Sequence, residues 1–533
     1  MFLNPTANGL PEQSDLSFDL VTDVVVVGFG NAGAISAITA SDAGAEVMLL
    51  EKMRFPGGIS ICAGGGIRYS VDADETFKYL QATNDGRTPD DVLRCFAEHM
   101  VGLDSYLKEL ARINGAMVET EDRPGNYAFE GYEHIPTVRI ASIPGFDPES
   151  EYPHVRGREG VNLFKVLHDH IRARNIDLRL GHAATRLIRN AAGELRGLQV
   201  AREDGQTIRV GARRAIILAC GGFEASPELQ AQFWEGGPRI NSATRANTGD
   251  GIRMAQELGA ALWHMWHWHG SYGFRHPDLP YAIRVKKLPD WIPGKKPTNV
   301  RMSWILLNRD GRRFMNEYEP YLQDTSQRNF SRLDMATQTY PNIPAWLVVD
   351  EKGRKLYPLA HAVYNDDSMP VFQWSNDNLV EVELGILRRY DSLEELAAGL
   401  RIPQATLEDT LGRWNAAVEA GEDKEFDRPM GSLMQVRNPP FYVGEVSPFI
   451  SNTQGGPVHD SEQRILNAFS EPIPRLYEAG ELGSIWGHLY LSGANLTECI
   501  ITGRIAGANA AAETPWISDR ELNGEKRVSA AAS

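Results

Sequence analysis

Apolar and glycine positions alternate in blocks through the first half of the chain. "DVVVV", Asp23 to Val27, is an unbroken apolar run that predicts a strand buried on both faces. "GFGNAG" follows, then an Ala-rich helical stretch to about Ala43, then "AEVMLLEK" as a second strand. Together these predict a βαβ unit. Residues 76 to 115 have helical periodicity. The stretch from 120 to 160, rich in Tyr, Pro and Gly, reads as an ordered loop or small insertion. "GVNLFKVLHDHIRARNI" predicts an amphipathic helix. "ARRAIILACGGFE" predicts a buried strand ending at Gly221 and Gly222, "NTGDGIRMAQELGAAL" a turn and helix, and "IPRLYEAGE" a further strand ending at Glu481. From about 276 to 444 the glycine punctuation fades and Trp, Tyr and Pro accumulate. This segment is expected to be a second domain inserted into the first, which then comprises 1–275 and 445–515. The Ala/Ser-rich 516–533 is expected to be a disordered tail. "WGHLYLSGANLTECIITGRIAG" reads as a loop feeding a helix, with Asn495 and Thr497 as caps and an exposed tyrosine, Tyr490, just ahead of it.

Gly28, Gly30 and Gly33 occupy the three glycine positions of a dinucleotide fingerprint, between a strand and a helix. The first makes the tight turn, the second admits a pyrophosphate, and the third lets helix and strand approach. Glu51 ends the second strand, where a carboxylate can accept from ribose hydroxyls. "PGGISICAGGGIRY", Pro56 to Tyr69, has glycine at 57, 58, 64, 65 and 66. That density implies backbone lying against something flat or charged.

Composition narrows the partners. The 533 residues carry 54 basic and 70 acidic side chains, a net charge of −16, with 42% apolar content. This balance argues against nucleic acid or an anionic membrane as main partner. Cys62, Cys95, Cys220 and Cys499 are scattered without a CxxC pair, so no disulfide framework or zinc ribbon is expected, and a reducing cytoplasm is the expected compartment. The opening stretch lacks a basic start followed by an apolar run, so no signal peptide is expected, and no apolar stretch is long enough for a membrane span. "WHMWHWHG" holds His264, His267 and His269. Its alternation with Trp and Met predicts a strand with one aromatic face, and no metal is expected.

The pieces "VVVVGFGNAG", "LLEK", "GGISICAGGG", "AIILACGGFE", "NTGDGIRMA", "GRRFMNE", "LYEAGE" and "GANLTECIITGRIAG" resemble, in order, the flavoprotein family of fumarate reductases and 3-ketosteroid dehydrogenases. The resemblance implies an α/β fold: a Rossmann-like FAD-binding domain with an inserted α+β capping domain. It implies FAD as cofactor and, from these motifs, Gly28, Gly30, Ala32, Gly33, Glu51, Lys52, Gly57, Gly58, Ile59, Ser60, Gly64, Gly65, Ala184, Cys220, Gly221, Gly222, Asp250, Gly251, Glu481, Asn495 and Leu496 as its binding residues. No second complete fingerprint exists for a nicotinamide nucleotide. No histidine lies between Gly57 and Gly66 to attach the flavin, so noncovalent FAD is expected. The last helix would aim its positive end at the flavin.

In the fumarate reductases that this chain resembles, a substrate-binding arginine stands where this chain has Tyr490, and a proton-donor arginine where it has Tyr321. Arg forms a charged fork for carboxylates, whereas Tyr offers one neutral donor suited to a carbonyl. The ketosteroid dehydrogenases resemble this chain here, with "NE-x-x-PY" (Asn316 to Tyr321) and "GH-x-Y" (Gly487 to Tyr490). By resemblance, Tyr490 and a backbone N–H near Ala494 polarise a ketone, and Tyr321 as phenolate removes an α-proton. A further tyrosine assists, from Tyr127, Tyr132 or Tyr152. The turn "YLSGAN" departs from the steroid enzymes' Pro/Gly-rich turn, which favours a smaller cyclic ketone over a steroid. The expected activity is FAD-dependent desaturation next to a ring ketone, with an unknown electron acceptor. The alternatives are an ene-reductase of an α,β-unsaturated acid or ketone, and a flavin-binding sensor without turnover. His488 reads equally as a substrate contact or as packing. "RVKKLPDWIPGKK" reads as a solvated loop, or as a guide for an anion. Arg139, Arg156 and Arg158 read as surface residues, or as a carboxylate clamp.

Overall fold

The computed structural model describes residues 16–157, 159–286, 302–318 and 322–516. Leu20–Val27 forms the central strand of the first sheet. It pairs in parallel with Val47–Leu50 on one side and Thr207–Leu218 on the other. Asp177–Arg179 and Pro472–Glu478 extend the parallel array outward. An antiparallel hairpin, His182–Arg189 and Leu195–Arg202, continues from Thr207–Leu218. Both faces of the central strand are covered: Val24 and Val26 enter one apolar cluster, Val25 and Val27 another. That double burial is why the run is continuously apolar rather than alternating.

The helix Asn31–Asp42 and the last helix, Ala494–Ala512, lie against each other on one face. Small residues make this possible. A Cβ on Gly503 would come 2.9 Å from Ala32 O, and one on Gly507 would come 2.6 Å from Ser36 O.

A second sheet of eight strands runs from Trp304–Leu307 through Ala345–Asp350, Phe441–Thr453, Trp268–Arg275 and Ala282–Val285 to Ala360–His361. Its central strands Trp268–Arg275 and Phe441–Thr453 begin before 276 and end after 444. This sheet therefore takes in residues on both sides of the expected 276 and 444 boundaries, Trp268–Arg275 before the first and the end of Phe441–Thr453 after the second. Buried ion pairs hold "GRRFMNE" beneath this sheet: Arg313 lies 2.8 Å from Glu317 and 2.9 Å from Asp423, and Arg428 lies 3.1 Å from Glu317. Of the expected tail, 517–533 lies outside the described residues. No helix among the described residues is long and apolar enough to cross a membrane.

Trp263 to Gly270 is not one strand. Leu262–Trp263 ends at a turn with His264 at φ 53°, and a new strand starts at Trp268. The three histidines diverge: His264 Nδ1 meets Ser484 O, His267 Nδ1 meets Trp486 O, and the His269 ring lies on Tyr490.

Candidate active site

The turn after the central strand forms one wall of a cleft. Gly28 donates its N–H to Leu50 O at 2.7 Å with φ 107°. A Cβ on Gly33 would fall 1.8 Å from Gly28 O, so only glycine lets the helix seat there. Gly28, Gly30, Ala32, Glu51, Lys52, Gly58, Ile59, Ser60, Ala184, Cys220, Gly221, Asp250 and Glu481 line this single cleft. The Glu51 carboxylate accepts from Phe29 N–H at 2.9 Å and Met53 N–H at 2.8 Å. Burial raises its pKa, against those N–H bonds. Lys52 Nζ lies 2.8 Å from Asp250 at the cleft's edge.

A second cavity continues from the first, sharing Ile59, Ser60, Glu481 and Cys499 with it. Gly64, Gly65, Tyr490, Asn495 and Leu496 line it. Gly57, Gly222 and Gly251 line neither and serve as packing points behind the walls. A Cβ on Gly57 would press Ile61 at 2.7 Å, one on Gly222 would meet Thr453 Oγ1 at 1.8 Å, and one on Gly251 would meet Leu482 at 2.9 Å.

Tyr490 is buried, at 4% exposure, rather than exposed as its polar surroundings in sequence suggested. Its hydroxyl oxygen accepts from Asn495 N–H at 3.3 Å, which sets the phenol at the start of the last helix. That helix is capped by Gly493 at φ 86°, not by the side chains of Asn495 or Thr497. Thr497 instead accepts from Arg68 N–H at 2.7 Å. The expected role of Ala494 changes. Its N–H donates to Leu491 O at 3.0 Å, so the turn itself consumes that donor. Tyr321 lies outside the described residues, between the buried Glu317 and the buried Asp324.

Arg68 and Arg123 carry no sequence signal of a site, whereas His269 and Arg284 fall in segments singled out above. Arg68, Arg123, Arg284 and His269 line the second cavity. Arg284 opens the basic segment singled out above, whose residues 287–296 lie outside the described residues. Burial lowers the His269 pKa to about 3, so this ring is neutral. Arg139 pairs with Glu119 and Glu159, Arg156 bonds the carbonyls of Pro153 and Val155, and neither lines the cavity. Arg158 lies outside the described residues. His488 also lies off the cavity wall, near Trp266.

Acids concentrate behind the junction of the two cavities. Burial and the neighbouring Glu481 carboxyl push Glu224 well above the usual range, and burial pushes Glu481 up to about 7. Glu498 accepts from Ile485 N–H and Ser484 O–H, both at 2.8 Å, yet burial raises it to about 8. A carboxyl whose folded pKa exceeds its unfolded value holds an extra proton when folded. Its contribution to stability is therefore complete below the unfolded pKa and lost as pH rises through about 8. Glu498→Gln is expected to raise the melting temperature relative to wild type more at high pH than at low pH. Equal shifts at both ends of that window would assign the limb to another group.

The matched family model, "FAD binding domain", covers residues 23–496, and the chain belongs to this family. Fumarate reductase (cytochrome) of Shewanella frigidimarina is 28% identical, over 92% of this chain and 77% of that protein. The 3-oxosteroid 1-dehydrogenase of Mycolicibacterium smegmatis is 26% identical, over 92% of this chain and 97% of that protein. Among solved structures, 3-ketosteroid delta1-dehydrogenase from Sterolibacterium denitrificans superposes with a TM-score of 0.76 at 23% identity, covering 92% of this chain and 99% of that one. The cofactor is FAD.

The first cleft fits that cofactor. Asn31, fully buried on the cleft wall, has neither side-chain amide atom hydrogen-bonded within the protein, as expected of a group awaiting a polar ligand. Gly30 and Gly58 keep the opposing backbones bare. Glu51→Ala is expected to weaken FAD binding about 10- to 100-fold, corresponding to roughly 1.5–3 kcal/mol for a charged hydrogen bond. Titration of apoprotein with FAD checks this, and an unchanged affinity would remove Glu51 from the binding set.

Proposed function

We propose that this FAD-dependent oxidoreductase of CH–CH bonds introduces a double bond next to the carbonyl of a small ring ketone, with FAD held noncovalently. The cleft residues named above, Gly28 to Glu481, form the cofactor site in this reading, and the second cavity takes the ketone. Bound FAD supplies the hydride acceptor.

The observation that carries the reading is a tyrosine, not an arginine, at the start of the last helix. The Tyr490 oxygen accepts from Asn495 N–H at the start of the last helix, whose end adds partial positive charge. A hydroxyl so held stabilises negative charge developing on a ketone oxygen as the α-proton leaves. Tyr321 is proposed as the base. Of the three candidate assistants, Tyr127 is favoured. Its hydroxyl donates to Asp324 at 2.7 Å, close after Tyr321 in the chain. Tyr132 donates to its neighbour Glu133, and Tyr152 pairs with His168 at 2.9 Å within another part of the core.

One observation favours a second reading, reduction of an α,β-unsaturated acid: Arg123 and Arg284 are on the cavity wall. Turnover assays separate the two. The first reading expects cyclohexanone-type ketones to yield enones with an artificial electron acceptor. Exclusive turnover of unsaturated acids with a reduced dye would replace it with the second.

A further inference from the structure

Asp324 and His267 take no part in the wall of either cavity, yet both are fully buried. Asp324 sits on the helix Leu322–Phe330, and His267 in the turn before Trp268–Arg275. Asp324 Oδ2 accepts the Tyr490 backbone N–H at 2.9 Å and the Tyr127 hydroxyl at 2.7 Å, while Oδ1 lies 3.1 Å from His267 Nε2. His267 Nδ1 lies 2.6 Å from Trp486 O. The Trp486 carbonyl and the Asp324 carboxylate can only accept, so both ring nitrogens carry protons and donate, Nδ1 to the carbonyl and Nε2 to the carboxylate. The pair therefore grips the Trp486–Tyr490 turn at both ends, by the first residue's C=O and the last residue's N–H. Between them, Arg328 of the same helix donates to His488 O at 2.9 Å.

We propose that Asp324 and His267 are positioning residues that lock the Trp486–Tyr490 turn and thereby aim the Tyr490 hydroxyl. The proposal rests on the Tyr490 role given above. The turn needs an outside clamp because Tyr490 precedes the helix and Gly493 separates them in a left-handed conformation, so helical hydrogen bonding does not reach it. The rings flanking Tyr490 sit on the gripped segments: His269 at 4.1 Å between centroids and Trp486 at 5.9 Å. Releasing either end frees the phenol to turn. Neutral replacement of Asp324 also leaves too few acceptors, since three donors converge on the carboxylate and an amide offers one oxygen and a conflicting NH2. The lowered pKa of Asp324, held down against burial by His267, Tyr490 N–H and Tyr127, agrees with a carboxylate there.

The test is a mutant cycle on the holoenzyme, read by anaerobic flavin reduction with a cyclic ketone. Asp324→Asn is expected to slow reduction on the order of 100-fold, the scale of a misplaced reacting group, with FAD affinity retained. In a Tyr490→Phe background the same change is expected to cost far less than it does in wild type, since the group being aimed is already gone and only the Tyr127 contact remains to be lost. Multiplying losses would overturn the proposal and leave Asp324 a general structural residue. Hydrogen exchange supplies a readout independent of turnover. Peptides spanning 486–490 are expected to exchange faster in Asp324→Asn, and unchanged exchange would refute the clamp. If wild type reduces no ketone but exchange still rises in the variant, the ketone reading fails and the clamp stands. His267→Gln carries the same expectations where Asp324→Asn does not give folded holoenzyme.

Discussion

Tyr321→Phe is expected to reduce ketone-driven flavin reduction by about 100- to 10,000-fold, the range for a lost general base. Yellow holoenzyme and ketone affinity are expected to survive, because the ring remains and only the phenol is removed. Near Tyr321 in sequence, Glu317 is paired with Arg313 and Arg428, and Asp324 is bonded by His267, Tyr127 and Tyr490. A phenolate base also predicts a rate that rises with pH through one ionisation in wild type, and loss of that limb in the variant. Rapid bleaching in Tyr321→Phe with the limb intact would move the base to another residue, with Tyr127 the first to examine.

Tyr490→Phe is expected to slow flavin reduction by about 100- to 1,000-fold, matching roughly 2.7–4 kcal/mol for one oxyanion donor. The substitution leaves the contacts of the ring with His269 and Trp486 in place and removes the acceptor for Asn495 N–H. FAD affinity is therefore expected to change far less than the rate. Stopped-flow absorbance with saturating ketone measures it, and a rate near wild type would make Tyr490 a packing residue.

Much of this architecture was legible in the sequence. A strand buried on both faces announces itself by an unbroken run such as Val24 to Val27. Gly28 and Gly33 announce a contact that no side chain could survive. Those signals are local, and many of the nominated residues line the first cleft, whereas Gly57, Gly222 and Gly251 stand behind the walls. The second cavity was harder to read because its walls are shared among distant segments. Arg68 and Arg123 stand in no charged pattern, and Arg284 was legible only as the start of a basic segment read as a solvated loop or a guide for an anion. Tyr490 looked exposed because "GHLYLSG" is a loop, yet loops over a cavity can be buried through side chains from elsewhere. Asn495 and Thr497 looked like caps because both residue types favour that position. The left-handed Gly493 took it instead, leaving Thr497 to hold Arg68. The Asp324–His267 clamp has no sequence signature, since its four bonded segments are separated by up to hundreds of residues. The histidine-rich "WHMWHWHG" did mark a special stretch, but the chemistry lay in three different partners rather than one face.

The central claim is that a tyrosine donor in the second cavity serves oxidation of a ketone. Anaerobic mixing of the oxidised holoenzyme with cyclohexanone-type ketones tests it most directly, followed at the long-wavelength flavin band. The account predicts bleaching with formation of one equivalent of enone. No bleaching with any ketone, together with reoxidation of the reduced enzyme by an unsaturated acid, would contradict it.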